Sequence, residues 1–188
     1  MWRPVVRTAP VAGPLVTFEA AADELRLDAG DEADHQSRVE RYIAGAEAHV
    51  GQVTGLQLAE QAVELRATEW SDLDALPIAP ISAVAGVVYV DADGVVRTLN
   101  PAAYAARLEG LSPAIVLAPG LTSWPARRPG TLITIAATAG FGGDMADLPG
   151  PIVDAVLLLV RARNDQGAFD AVEATVEALL ANYRMFSA

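Results

Sequence analysis

Hydrophobic positions in this chain recur with a helical period at both ends and with a period of two in the middle. Phe18, Ala21, Ala22 and Leu25 share one helical face behind Thr17, a good capping residue, and Asp28–Gly30 ends that segment. Glu32–Val53 is the clearest amphipathic helix: Val39, Tyr42, Ile43, Ala46, Val50 and Val53 fall at offsets 0, 3, 4, 7, 11 and 14. Asp31, Glu32 and Asp34 suit the positive end of its dipole, and Thr54-Gly55 stops it, with Gly55 placed for a left-handed C-cap. The period then changes. Val63, Leu65 and Ala67 alternate with Glu64, Arg66 and Thr68, as in a half-buried strand. Trp70–Leu76 reads as an acidic turn. Ser82–Asp91 and Val95–Leu99 read as strands joined by an Asp93-Gly94 hairpin turn. Short strands are expected at Tyr104–Leu108 and Ala114–Leu117, a loop at Gly120–Gly130, and a last strand at Thr131–Ala137.

After the Gly-rich connection Gly140–Pro149 comes LPGPIVDAVLLLVR, Leu148–Arg161, in which every residue from Ile152 to Val160 except Asp154 is apolar. Pro151 fits the first helical position and Gly150 an N-cap. A helix apolar nearly all round is buried on most sides, so this one is expected to be the core element, with Leu157, Leu158 and Val160 inside it. A last helix, Ala168–Arg184, carries Phe169, Val172, Val176, Leu179, Leu180 and Tyr183 on one face. The order predicts an α+β fold: a small bundle of about four helices with a β-rich insertion between helices two and three. Residues 1–16, broken by Pro4, Pro10 and Pro14, are expected to form an extended arm. Residues 17–188 are expected to form a single domain with the insertion over about 58–138.

Charge and composition narrow the function. The 188 residues are 52% hydrophobic, enough for a sizeable core, and carry a net charge of −11, which argues against a nucleic-acid-binding surface. All 13 cations are arginines, and there is no cysteine, so thiol catalysis and Cys-ligated zinc are excluded. The proline-broken N-terminus has no continuous apolar core of a signal peptide, and no membrane span is expected. A soluble protein follows.

No stretch carries convincing catalytic chemistry. His35 and His49 lie roughly 21 Å apart along one helix at 1.5 Å per residue, too far to share a metal, and read as solvent-facing. Asp91-Ala92-Asp93-Gly94 has the start of a calcium loop but lacks the later ligands, and reads as a hairpin turn. Ala139-Gly140-Phe141-Gly142-Gly143 lacks both a full G-x-G-x-x-G and a following Lys, and reads as a connection. Glu19, Asp23, Glu24, Asp28, Asp31, Glu32 and Asp34 read as a solvated acidic surface, and Pro77–Pro80 as a rigid lead-in to a strand. From Gly110 to Gly143 there is no acidic residue, while Arg127 and Arg128 are present. No cofactor and no metal are expected.

Several pieces occur together in a telling order. They are PIAPISAVAGVVYVDADG at Pro77–Gly94, Leu99 through Tyr104, SWP at Ser123–Pro125, AGFGG at Ala139–Gly143 and LPGPIVDAVLLLV at Leu148–Val160. With the helix Glu32–Val53 and the strand up to Trp70 before them, they resemble the head–tail adaptor, or connector, proteins of tailed phages and phage-derived gene transfer agents. The final helix departs from the short, Asn-Arg-Glu-bearing ends of that family. The resemblance implies a non-enzymatic structural protein of the particle, assembled in the host cytoplasm. It would form a ring below the portal protein, a dodecamer in the particle, that extends the DNA channel without binding DNA specifically and docks a stopper or tail protein. The C-terminal Tyr183, Arg184, Met185 and Phe186 are the expected portal contact, because large apolar side chains at a terminus gain little from an isolated fold. The residues themselves leave two alternatives open: a partner-binding module outside any particle, and a small enzyme domain with an acidic site.

Overall fold

The structure, a computed structural model, describes residues 1–9, 13–27, 32–165 and 169–185. The chain divides into two compact units, one strand-rich and one helical.

The helical unit spans residues 12–59 and 141–186. It holds α1 (Phe18–Leu25), α2 (Glu32–Thr54), α3 (Gly150–Asn164) and α4 (Phe169–Leu180). Thr17 caps α1, its hydroxyl accepting the Ala20 N–H at 3.2 Å. Gly55 closes α2 at φ +76°, its N–H bonded to the Gly51 carbonyl at 2.9 Å, the left-handed C-cap expected there. α3 packs against the other three helices of this unit. Its burial is more one-sided than its composition suggests: Ile152, Ala155, Val156, Leu159 and Val160 are buried, while Leu157 and Leu158 are only half-buried and Asp154 is exposed. Of the expected Leu157, Leu158 and Val160, only Val160 is buried, and Leu159 is buried beside it. Pro149, rather than Gly150, is the capping residue. The core of this unit is completed by Ala21 and Ala22 of α1, Val39, Ile43, Ala46 and Val50 of α2, and Val176 and Leu180 of α4, all buried.

The strand-rich unit comprises residues 1–11 and 60–140 with the last two residues. Its five-stranded antiparallel sheet uses β1 (Val6–Arg7), β2 (Gln61–Ala67), β3 (Ile81–Val90), β4 (Val96–Thr98) and β7 (Ile133–Ala139), in the order β1-β2-β7-β3-β4. A separate hairpin pairs β5 (Tyr104–Arg107) with β6 (Ala114–Leu117). In β2 the alternation is complete: Val63, Leu65 and Ala67 face inward opposite Ala137, Ile135 and Ile133 of β7. β3 alternates less regularly because its register with β7 shifts twice, between Ile81 and Ala83 and between Val84 and Gly86. The first residues run along β2, with Val6 opposite Glu64, Arg7 opposite Val63, and an isolated bridge from Trp2 to Ala67. A strand at the sheet edge tolerates the nearby Pro4, since its outward amide needs no partner in the ladder.

Candidate interaction surfaces

The motifs weighed for chemistry serve the fold, as their sequence reading expected. Asp91 closes the β3–β4 hairpin: one carboxylate oxygen accepts the Val95 N–H and the other the Arg97 Nε–H, both at 2.8 Å, around Gly94 at φ +86°. Arg97 is the main reason the Asp91 carboxyl lies below the usual carboxylate range, with the Val95 N–H adding to it. In the Gly-rich connection the cradle is filled by the chain itself. Asp147 Oδ2 accepts the N–H groups of Gly143 and Asp144 at 3.1 Å each, and a Cβ on Gly142 would meet that oxygen at 2.1 Å. Ile78 and Ala79, inside the Pro77–Pro80 stretch, are 7% and 0% exposed, so the stretch offers no docking peptide. His35 and His49 are half-buried on α2 rather than solvent-facing, and among the described residues no group of His, Asp and Glu is placed to hold a metal. No described helix is long and apolar enough to cross a membrane.

The SWP motif anchors a loop. Trp124 stacks on Trp70 at 4.9 Å between ring centroids, Trp70 meets Tyr89 of β3 edge-on at 5.4 Å, and the Trp70 indole N–H donates to the Pro125 carbonyl at 3.1 Å. Arg127 is held beside it, bonded to Glu69 at 2.6 Å and to the Thr131 carbonyl at 3.0 Å. Arg128 is exposed and makes no ion pair among the described residues. An open concavity of about 560 Å³ adjoins the Trp pair, lined by Tyr89, Arg97, Asn100, Leu117, Leu121 and Trp124. Its lining includes Arg97, which is held by Asp91 at 2.8 Å, and no carboxylate.

In the helical unit a half-buried carboxylate fixes the entry into α1. Glu47 Oε1 accepts the N–H groups of both Leu15 and Val16 at 2.8 Å, and burial pushes its carboxyl above the ordinary glutamate value although those two bonds pull it down. A second polar lock joins α2 to α3. The Arg163 guanidinium donates to the Tyr42 and Gly45 carbonyls at 3.0 Å each, and a Cβ on Gly45 would lie 2.2 Å from Arg163 Nη1. Of the acidic group, Glu19 and Asp23 are exposed on α1, Glu24 pairs with Arg161 at 3.4 Å, Glu32 and Asp34 lie in the first turn of α2, and Asp28 and Asp31 lie outside the described residues.

Of the four C-terminal contact residues, Tyr183, Arg184 and Met185 are half-buried and Phe186 lies outside the described residues. The Met185 N–H donates to the Thr54 carbonyl at 2.7 Å, at the end of α2, and the Met185 side chain rests against Gly55. Arg184 pairs with Glu177 of α4 at 3.2 Å. Sequence reading missed two features: the Arg163–Gly45 lock, for which a glycine inside an amphipathic helix is the available signal, and the run of residues 2–8 along β2.

Charge is unevenly divided between the units. The ranges of the helical unit contain six arginines and sixteen Asp and Glu, and those of the strand-rich unit seven arginines and eight Asp and Glu. Nearly all of the −11 net charge thus belongs to the helical unit.

Among solved structures, a chain in the neck of an empty gene transfer agent particle computed with C6 symmetry is 27% identical, superposes with a TM-score of 0.79, and is matched over 99% of this chain and 97% of that one. The chain has the fold of a gene transfer agent neck protein. A chain of the virion of the native gene transfer agent particle is also 27% identical, with a TM-score of 0.77 over 98% of this chain and 96% of that one. A third, from the neck of the native particle computed with C12 symmetry, shares the fold at 24% identity and a TM-score of 0.71, over 99% and 97%. No family model matches the sequence, and neither does any curated protein. The likeness to chains of the gene transfer agent particle thus covers the fold of nearly the entire chain.

Proposed function

We propose that this protein is a structural component of the neck of a gene transfer agent or related phage-like particle, acting as the head–tail adaptor. The observation that carries the reading is the end-to-end likeness to a neck chain, 99% of this chain against 97% of the other. In this reading copies form a ring below the portal, a dodecamer, that extends the DNA channel and presents a surface to the stopper or tail protein. The net charge of −11 suits a conduit, because like charge keeps the phosphate backbone from adhering as it passes. Tyr183–Met185, with Phe186 beyond them, form the portal contact. Assembly takes place in the host cytoplasm, and the mature protein resides at the neck. The test is deletion of the gene from a particle-producing strain, followed by complementation. The expected result is filled or empty heads lacking tails, with tails restored on complementation and the protein found at the neck by labelled electron microscopy. Tailed particles produced without the protein would overturn the reading.

A further inference from the structure

The register of the β3–β4 hairpin fixes which backbone groups of β4 face outward. The Leu99 N–H donates to the Val87 carbonyl at 2.8 Å and the Asp91 N–H to the Val95 carbonyl at 2.9 Å. With Arg97 opposite Tyr89, residues 95, 97 and 99 turn their backbone groups toward β3, and Val96 and Thr98 turn theirs away. β4 ends the five-stranded sheet, and among the described residues no hydrogen bond reaches the N–H or C=O of Val96 or Thr98. Val96 is 67% exposed, and Thr98 is exposed as well. Two donors and two acceptors at strand spacing are satisfied together by an extended backbone. Thr98 also borders the concavity of about 560 Å³, whose apolar wall is Leu117, Leu121 and Trp124. An added strand sends alternate side chains to one face, and the concavity lies beside that strand to receive them.

The charges along this edge are cationic. Arg97 is the charged member of the concavity lining, and a Cβ on Gly94, at the head of the strand, would lie 2.8 Å from Nη1 of the unpaired Arg128. Both oxygens of Asp91 are bonded within the hairpin, and Asp93 lies on the turn, off the strand. The strands that border this chain's two sheets, β1, β4, β5 and β6, hold three arginines and no Asp or Glu, so a second copy has no acidic strand at a sheet border to offer. We propose that the β4 edge takes an extended segment of a different protein of the particle. That segment places an apolar side chain in the concavity and a carboxylate against the Arg97 and Arg128 guanidinium groups. This rests on the neck reading.

The test uses the deletion strain complemented with variants of the full chain. Thr98→Pro removes an outward N–H and no ladder bond, which an edge strand tolerates, and Val96→Pro does the same two residues earlier. Both purified variants are expected to melt within about 3 °C of the parent and to yield at least about tenfold fewer tailed particles. Arg128→Glu, which sets like charge against the incoming carboxylate, is expected to lower the yield in the same way. Two further readouts decide the question if either proline variant melts low. The chain has no cysteine, so Val96→Cys supplies its single thiol, expected to react with a maleimide at least about tenfold more slowly in the assembled particle than in the free protein. Val95→p-benzoylphenylalanine, photolysed in the particle, is expected to link to one segment of a different protein that carries Asp or Glu among apolar residues. Parent-like yields from both folded proline variants, equal thiol reactivity in the two states, or the lack of a link to a different protein, including a link only to a second copy of this chain, overturns the proposal. Tailed particles in the uncomplemented deletion strain would remove the neck reading instead, whereas rescue by the parent and by both proline variants alike removes this proposal alone.

Discussion

Glu47 and Gly45 sit two residues apart on α2 and carry opposite lessons about single residues. Glu47 is half-buried and supplies the acceptor for two backbone donors, at Leu15 and Val16, that are themselves 3% and 2% exposed. Glu47→Ala orphans both, so a loss of about 2–4 kcal/mol is expected, read as a melting temperature lower by at least about 5 °C. Glu47→Gln keeps an oxygen in place and removes the half-buried charge. Because the folded carboxyl binds its proton more tightly than the unfolded one, the stability this group contributes is full below the unfolded value near 4.5. That contribution declines as pH rises through the folded value. The Gln variant should therefore match the parent near pH 4 and melt higher at pH 7, and equal offsets at both pH values would refute the assignment. Gly45 shows the reverse case, a residue whose lack of a side chain is what matters. In an isolated helix Gly→Ala gains about 1 kcal/mol, but here the new Cβ evicts a guanidinium from two carbonyls, each bond worth about 1.5–3 kcal/mol. Gly45→Ala should destabilise the parent and stabilise the Arg163→Ala variant. Chemical denaturation of the four proteins checks that change of sign.

At the scale of elements, periodicity was legible wherever one face alone meets a core. α2 and β2 show this directly: Val39, Ile43, Ala46 and Val50 are buried at helical spacing, and Val63, Leu65 and Ala67 at strand spacing. The hairpin at Asp93-Gly94 was legible because a left-handed glycine after Asp is a local requirement. Two things were not. The register shifts in β3 depend on what β7 presents, not on β3 itself, and the pairing of Val6–Arg7 with β2 spans more than fifty residues of chain. The resemblance motifs marked real structural joints, but the contacts that make them so, the Trp70–Trp124 stack and the Asp147-filled turn, join residues that the sequence does not pair. For α3 a nearly continuous apolar run hides which face is inside, since period carries no information when every position is apolar. The structure separates them, and the consequence is measurable. Leu159→Asp places an unpaired charge where the parent side chain is 1% exposed, and a loss above about 4 kcal/mol is expected. Leu158→Asp, at a half-buried position, should cost less than half of that. Equal losses in urea denaturation would mean that α3 is enclosed on both faces.

For the whole molecule, the divided charge and the C-terminal segment bear on how a copy meets its neighbours. The sequence showed the total of −11 but not its concentration in the helical unit, because the ranges that build each unit interleave along the chain. The C-terminal segment was chosen as a portal contact because termini ordinarily gain little by carrying Met and Phe. Within that segment the structure gives Met185 a tie to its own unit. Its N–H bond to the Thr54 carbonyl ties residue 185 to the end of α2, so Met185 already has a role within its own unit. Removing residues 186–188 should leave the melting temperature unchanged within about 1 °C. Removing residues 185–188 sacrifices that bond and the contact with Gly55, a loss of about 1–2 kcal/mol, or roughly 2–6 °C for a chain of this length. Binding to purified portal rings then tests the portal contact itself. If the segment docks on the portal, the shorter deletion abolishes binding while stability is intact, since Phe186 supplies an apolar anchor worth roughly 1.5–3 kcal/mol before ordering costs. If both truncated proteins bind the portal as the parent does, the contact lies elsewhere on the molecule, and the stability lost on removing residue 185 assigns Met185 to its own unit alone.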